Sequence, residues 1–450
     1  MQSFGRRRFI QGGAWALGAT LVTSGVSFAR TDADTKSRFV FVILRGALDG
    51  LAVVPPYGDP DYASLRRDLA LNAPGAASGV LPLTNPFGLH PSCQFLHECF
   101  TARELVVFHA VSSPYRERSH FDGQDVLENG TVRPHAVQTG WLNRALAAMP
   151  VRGRAERERG VALGQNVPLV MRGPAAVTSW SPSKLAALDE DTLQRITDLY
   201  ASDPLLAKRL ADALAADEIA ASSQAMAQGT GMLKTASTGS GDTRPVAAIA
   251  RAAAGGEPTA ADGDAAAKRQ LAKPGNAGGA RYAEVINAAA GFLRREDGPQ
   301  VAVFDTIGWD THANEGSAEG QLAGRLAALD GGLRTLQEQL GPVWKDTAVV
   351  LATEFGRTVA VNGTRGTDHG TGAAAFLLGG AVRGGRVVAD WPGLSARALY
   401  QGRDLRPTLD LRSVLKGVLQ EHLLVPYRDV ESSVFPDSGS AKALKGLIRA

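Results

Sequence analysis

Residues 39–44, FVFVIL, form an unbroken apolar run. A run this short and this rich in β-branched residues reads as a strand buried on both faces. It stops at Arg45-Gly46, with Asp49 in the turn beyond. Similar patterns predict strands at 104–110, 161–171, 300–305, 347–353 and 374–379. Between them the apolar spacing changes to that of helices. Leu322, Leu326, Leu329, Leu333 and Leu336 fall on one face of an amphipathic helix over 318–340, which would cover one side of a sheet. Asp203 as N-cap and Pro204 at the first helical position open another helix, with Leu205, Leu206, Leu210 and Leu214 at helical spacing. RYAEVINAAAGFLRRE, 281–296, reads as a third. Strands alternating with helices predict an α/β fold.

Two stretches break this pattern. Residues 228–279 are almost wholly Ala, Gly, Ser, Thr, Asp and Pro, too little apolar surface to offset the entropy of ordering, within a helical and low-complexity insertion over 181–299. The N-terminus joins GRRRFIQGG to AWALGATLVTSGVSFA, a basic start, a weakly apolar core and a small-residue exit at Ser27 and Ala29, so residues 1–29 are expected to be a cleaved signal peptide. Its apolar stretch, about 18 residues broken by Gly, Ser and Thr, is marginal for a spanning anchor. No stable membrane span is expected after cleavage. The rest, 30–450, is expected to form one α/β domain.

The net charge of +3 resides in Arg6, Arg7 and Arg8, because residues 1–29 contain no acidic residue. The remainder is balanced, which argues against a nucleic-acid partner or an anionic membrane surface. Two cysteines, Cys93 and Cys99, are available for a disulfide in an oxidising compartment, or are free. No haem-attachment or iron–sulfur cysteine pattern occurs, which weighs against a redox protein.

The residues with chemistry cluster where strands end. VAVFDTIGWDTHAN, TAVVLATEFGRT and GTDHGTGAAAFLLGG place Asp310, His312, Glu354, Asp368 and His369 at strand exits, where an open α/β sheet presents ligands to a crevice. These oxygen and nitrogen donors suit a divalent ion such as zinc or manganese.

Together, RRRFIQGG, LRGALDGLAVVPP, RSHFDGQD, GWDTHAN, ATEFGRT and GTDHGTG resemble an exported bacterial family known as domain of unknown function 1501. That family is regarded as a distant relative of the alkaline phosphatase and sulfatase superfamily. The resemblance implies a three-layer α/β/α sandwich, export by the twin-arginine machinery to the periplasm or beyond, and metal-dependent hydrolysis of phosphate or sulfate esters. In the superfamily layout Asp49 takes the place of the early aspartate and Ser119 that of the nucleophile. Asp310 with His312, Glu354 and His369 take the later positions. Phe355 stands where the superfamily supplies an imidazole, and phenylalanine cannot ligate a metal. One ion held by Asp310, His312 and His369 is therefore expected. A second, on Asp49, Glu354 and Ser119, lacks a nitrogen ligand unless His120 supplies it.

Local readings stay open beside these. Ser119 with Asp122 three residues on has the form of a capping box, and a cap can also be a nucleophile at a helix start. His120 is either a site imidazole or a packed one. Asp368 either orients His369 or accepts backbone donors in its turn. Arg357 either meets an anionic substrate oxygen or pairs with Glu354. His90, His97, His109, His135 and His422 read as core or surface histidines. The functional alternative is a non-catalytic cell-envelope or export-associated protein that keeps the fold. Changing Arg6 and Arg7 to lysine is expected to leave precursor in the cytoplasm, as read by cell fractionation; undisturbed export would remove the twin-arginine assignment.

Overall fold

A computed structural model describes residues 36–150, 159–182, 196–197, 199–200, 203–229 and 277–449. The expected signal peptide and most of the low-complexity stretch lie outside the described residues. The run at 39–44 forms the centre of β1 (Arg38–Arg45), and both of its faces are buried, as a continuous apolar run requires. The period of two sends Phe39, Phe41 and Ile43 into one core and Val40, Val42 and Leu44 into the other.

The other strands of the same sheet are β2 (Leu105–Ser112), β3 (Gly160–Leu163), β4 (Val177–Trp180), β5 (Val301–Ile307), β6 (Thr347–Ala352), β7 (Ala373–Leu378), β8 (Arg386–Val388) and β9 (Leu409–Asp410). They order as β8-β2-β7-β6-β1-β5-β3-β4, with β9 beside β2. All pairings are parallel except those of β7, which runs antiparallel to both β2 and β6. The fold is thus mixed α/β around a mostly parallel sheet. The strand expected over 161–171 ends at Leu163 instead. Gly164 follows, Pro168 cannot donate a ladder bond, and a tight turn occupies Leu169–Met171. The short strand β4 has too brief an apolar pattern to stand out in the sequence.

Helices cover both faces. On one lie α1 (Gln94–Thr101), α4 (Pro204–Gly229), α5 (Ala277–Arg294) and α6 (Gln321–Leu340), whose six leucines are all buried. On the other, α2 (His120–Asn129), α3 (Trp141–Ala148) and α7 (Leu411–Glu421) contribute Leu127, Trp141, Leu142, Val414 and Val418. Each such side chain removed from water stabilises the fold by about 1.5–3 kcal/mol before entropy is counted. Asp203 caps α4 as the sequence implies, accepting from the N–H groups of Leu205 and Leu206 at 2.9 and 3.1 Å. Among the described residues no helix is long and apolar enough to cross a membrane.

Cys93 and Cys99 are free thiols, buried in the core at the start and within the body of α1, and not bridged. Burial pushes both thiols up, Cys99 to about 12, so they pack as small apolar groups.

His109 lies wholly inside the sheet. Its Nε2 donates to the Val54 carbonyl at 2.9 Å, and its Nδ1 accepts the Ala110 N–H at 2.8 Å. These partners require the neutral ring, and burial lowers its pKa to about 4. The unfolded chain takes up this proton near 6.5 and the native chain only near 4. The stability tied to His109 is therefore fully present above 6.5 and lost as pH falls to about 4, at most roughly 3 kcal/mol. A His109→Gln protein is expected to show a flatter fall of Tm between those pH values than wild type; an identical slope would remove His109 as the cause.

Candidate functional site

The parallel strands β1, β5 and β6 all end at one edge of the sheet, Arg45 standing opposite Ile307 and Ile43 opposite Ala352. Because β7 runs the other way, its start lies at that same edge, and so does the loop that enters it. The loop after β2, which leads into α2, completes the group. Gly46 lets these loops meet: its φ is +115°, and a Cβ there would stand 2.7 Å from the Asp310 amide nitrogen.

Asp310 is the centre of the group. Its Oδ1 lies 2.5 Å from Arg357 Nη1, 3.1 Å from His312 Nε2 and 3.3 Å from His369 Nε2, and its Oδ2 lies 3.5 Å from His120 Nε2. Burial raises its pKa, but the His120 and His369 imidazoles and the Arg357 guanidinium beside it outweigh that and hold it far below the usual carboxylate range. His120, Asp310 and His369 each offer one ligand atom, all within 4.8 Å of one another. His312 adjoins them, with its Nε2 3.0 Å from that of His369.

The far nitrogen of each ring is anchored. His120 Nδ1 lies 2.8 Å from Glu354 Oε1, His312 Nδ1 lies 3.2 Å from Asp368 Oδ1, and His369 Nδ1 lies 2.9 Å from the Arg118 carbonyl. All three partners are acceptors, so each Nδ1 carries a proton and each Nε2 is turned inward, toward Asp310. An outer acceptor on the far ring nitrogen is the usual support of a metal-ligating histidine. Phe355 stacks on His120 at 5.0 Å between centroids and lies 5.3 Å from His369, so it forms a wall for the rings. Gly123 makes room for it, since a Cβ there would meet the Phe355 ring at 2.9 Å.

Several residues expected at the site have other roles. Glu354 is fully buried behind His120, and it also accepts the Gly46 N–H at 2.8 Å and the Thr353 hydroxyl at 2.8 Å. Burial raises its pKa, yet the His120 bond keeps it below the ordinary value. It orients an imidazole where the sequence suggested a ligand. Asp49 is also turned away: its Oδ1 caps the short helical turn Gly50–Val53, and its Oδ2 pairs with Arg66 at 2.6 Å. With both carboxylates engaged, the second ion expected on Asp49, Glu354 and Ser119 has no ligand set here. Arg357 bonds Asp310 and the Thr367 carbonyl with its side chain fully buried, so it neither pairs with Glu354 nor reaches out to a substrate. Asp368 orients His312, not His369.

Ser119 is the N-cap of α2, but its hydroxyl makes no cap bond, and Asp122 faces Tyr115 and His135 instead of completing a capping box. His135, read as unremarkable, thus pairs with Asp122 and Asp125 at 3.3 Å on the exposed side of α2. Arg66 and Glu315 were missed outright. The sequence gives little sign of them, because Arg66 meets Asp49 across 17 residues and Glu315 meets Thr367 across 52.

A family model described as "Protein of unknown function (DUF1501)" matches residues 108–431, which include all three imidazoles and Asp310. The chain belongs to this family. No curated protein matches it. Among solved structures, that of Ps i-CgsB in complex with k-i-k-neocarrahexaose aligns over 90% of this chain and 77% of its own, at 9% identity and a TM-score of 0.36. That likeness is too loose to carry an argument.

In this DUF1501 protein the charge of His120 depends on its two carboxylates. Partial burial lowers its pKa, but Asp310 and Glu354 raise it to about 9. Glu354→Gln is expected to bring the His120 titration, followed by its Cε1–H resonance in metal-free protein, down by at least about one unit. A titration that stays near 9 would show that Glu354 does not set the state of this ring.

Proposed function

We propose that this protein is an exported metal-dependent hydrolase of phosphate or sulfate esters, built on an alkaline-phosphatase-like α/β/α sandwich. The observation that carries the reading is the shared orientation of the three imidazoles. Each ring has its Nδ1 fixed by an acceptor and its Nε2 turned toward Asp310. Two Nε2 atoms 3.0 Å apart beside a carboxylate, once without protons, direct their lone pairs at one place, a donor set that suits a divalent cation. His120 Nε2 is buried and has no hydrogen-bond partner, which fits the same need.

A divalent ion such as zinc or manganese would be held by His120, Asp310 and His369, with His312 adjoining. When bound, such an ion supplies Lewis-acid polarisation of an ester oxygen and a lowered pKa for the attacking group. Asp310 and His312 remain 38% and 45% exposed, so a substrate can approach from solvent, as a catalytic rather than a closed structural site requires. The helix α2 begins at His120, so its N-terminus lies beside the cluster and would favour an anionic ester group. Ser119, beside His120 and free of a cap bond, is the nucleophile of a two-step route; without it, water attacks directly. The twin-arginine machinery and a small-molecule or polymeric ester are the expected partners, and no nucleic acid.

Zinc titration calorimetry on the purified full chain is expected to give one tight site, with stoichiometry reduced in His312→Ala and His369→Ala. Ser119→Ala should keep that site and abolish cleavage of aryl phosphate or aryl sulfate esters. Cleavage surviving in Ser119→Ala favours direct attack by water. A wild type with no tightly held divalent ion, in which both histidines can be replaced without effect, would leave the non-catalytic envelope protein as the reading.

A further inference from the structure

Beneath the imidazoles lies a second set of charges that the proposed chemistry does not use. Asp49, Arg66 and Glu315 are at most 1% exposed. Arg66 Nη2 bonds Asp49 Oδ2 at 2.6 Å and faces Glu315 Oε1 at 3.5 Å. Two carboxyl groups thus share one guanidinium inside the protein. Burial, and next the Asp49 charge, push Glu315 up to about 8, whereas Arg66 more than offsets the burial of Asp49 and holds that group down. The trio is thus biased toward one anion, one cation and one neutral carboxyl group, which lessens the penalty for burying it.

The other oxygen of Glu315 reaches the site. Its Oε2 accepts hydrogen bonds from Thr311 Oγ1 at 2.9 Å and from Thr367 Oγ1 at 2.8 Å. Thr311 sits between Asp310 and His312, and Thr367 directly precedes Asp368 and His369. The Thr367 hydroxyl also accepts Arg357 Nε at 3.2 Å, and Arg357 holds Asp310. The backbones of the two loops meet at the same place, through Thr367 N–H to the Thr311 carbonyl at 3.1 Å and Glu315 N–H to the Arg365 carbonyl at 3.0 Å.

We propose that Glu315 is a positioning residue for the imidazole–carboxylate cluster: a buried tie that holds the Asp310–His312 loop and the Asp368–His369 loop at a fixed separation through Thr311 and Thr367, with Arg66 and Asp49 anchoring it from behind. The effect on metal binding rests on the function proposed above; the tie itself does not. Glutamine at this position keeps the shape and an acceptor for both threonine hydroxyls. Alanine removes the tie, and near-isosteric valine at 367 cuts one arm of it.

The test uses the full chain and zinc alone as probe, with Glu315→Gln, Glu315→Ala and Thr367→Val. Calorimetry is expected to leave the zinc Kd of Glu315→Gln within about threefold of wild type, and to raise it about tenfold or more in Glu315→Ala and Thr367→Val. In metal-free Thr367→Val the Cε1–H resonances of His312 and His369 should move while that of His422, buried against the Arg38 carbonyl, stays in place. If Glu315→Ala fails to fold, the other two variants decide. Wild-type zinc affinity in Thr367→Val together with unmoved His312 and His369 resonances would overturn the proposal. So would Glu315→Gln losing as much affinity as Thr367→Val, because an acceptor for both threonine hydroxyls would then not be what holds the loops. A wild type that binds no zinc sinks the metal reading alone, and the histidine resonances of Thr367→Val still test the tie.

Discussion

Asp310 stands within 3.5 Å of nitrogens from four side chains, Arg357, His120, His312 and His369, and the rest of the site is arranged around that carboxylate. A partly buried anion of this kind persists only with compensating charge or donors beside it. Arg357, itself buried, supplies permanent charge. His120, raised to about 9, supplies a second positive charge in the absence of metal and would give up its proton to a bound ion. The cluster therefore has two ways to balance its charge, by a proton or by a metal, in one geometry.

That geometry follows from the sheet. Parallel pairing of β1, β5 and β6 brings three strand ends together, and the reversal at β7 adds the loop that carries His369. The strands are anchored on both sides by cores in which β1 alternates residue by residue, so a one-residue slip would exchange the two faces. Side chains on the loops can then be held to a few tenths of an ångström by buried ties: Glu354 behind His120, Arg357 behind Asp310, and Glu315 across the two loops.

The continuous or periodic apolar runs were legible in the sequence, because burial on one or two faces leaves a local signature. The strand cores at 39–44, 300–305, 347–353 and 374–379 and the leucines of α6 illustrate this. That Asp310, His312 and His369 lie together was legible, because donors at strand exits are few. Which carboxylate does what was not legible. Glu354 meets His120 across 234 residues and Asp49 meets its guanidinium across 17, so ligand, orienting group and ion-pair partner look alike in one dimension. Whether Cys93 and Cys99 are bridged stayed open in the sequence for a related reason: spacing shows what a loop could join, whereas both thiols are used as core. Phe355 shows the reverse case, since its inability to ligate was evident but its stacking on His120 and His369 needed the structure.

The central claim is that the Nε2 atoms of the anchored imidazoles form one divalent-ion site with Asp310. X-ray absorption at the zinc edge, on full-length protein carrying one equivalent of zinc, tests it most directly. The account predicts a first shell of nitrogen and oxygen at about 2.0–2.2 Å, with the outer scattering of at least two imidazoles, one of which disappears in His369→Ala. A sulfur shell at about 2.3 Å, or a hydrated ion without imidazole scattering, would contradict it.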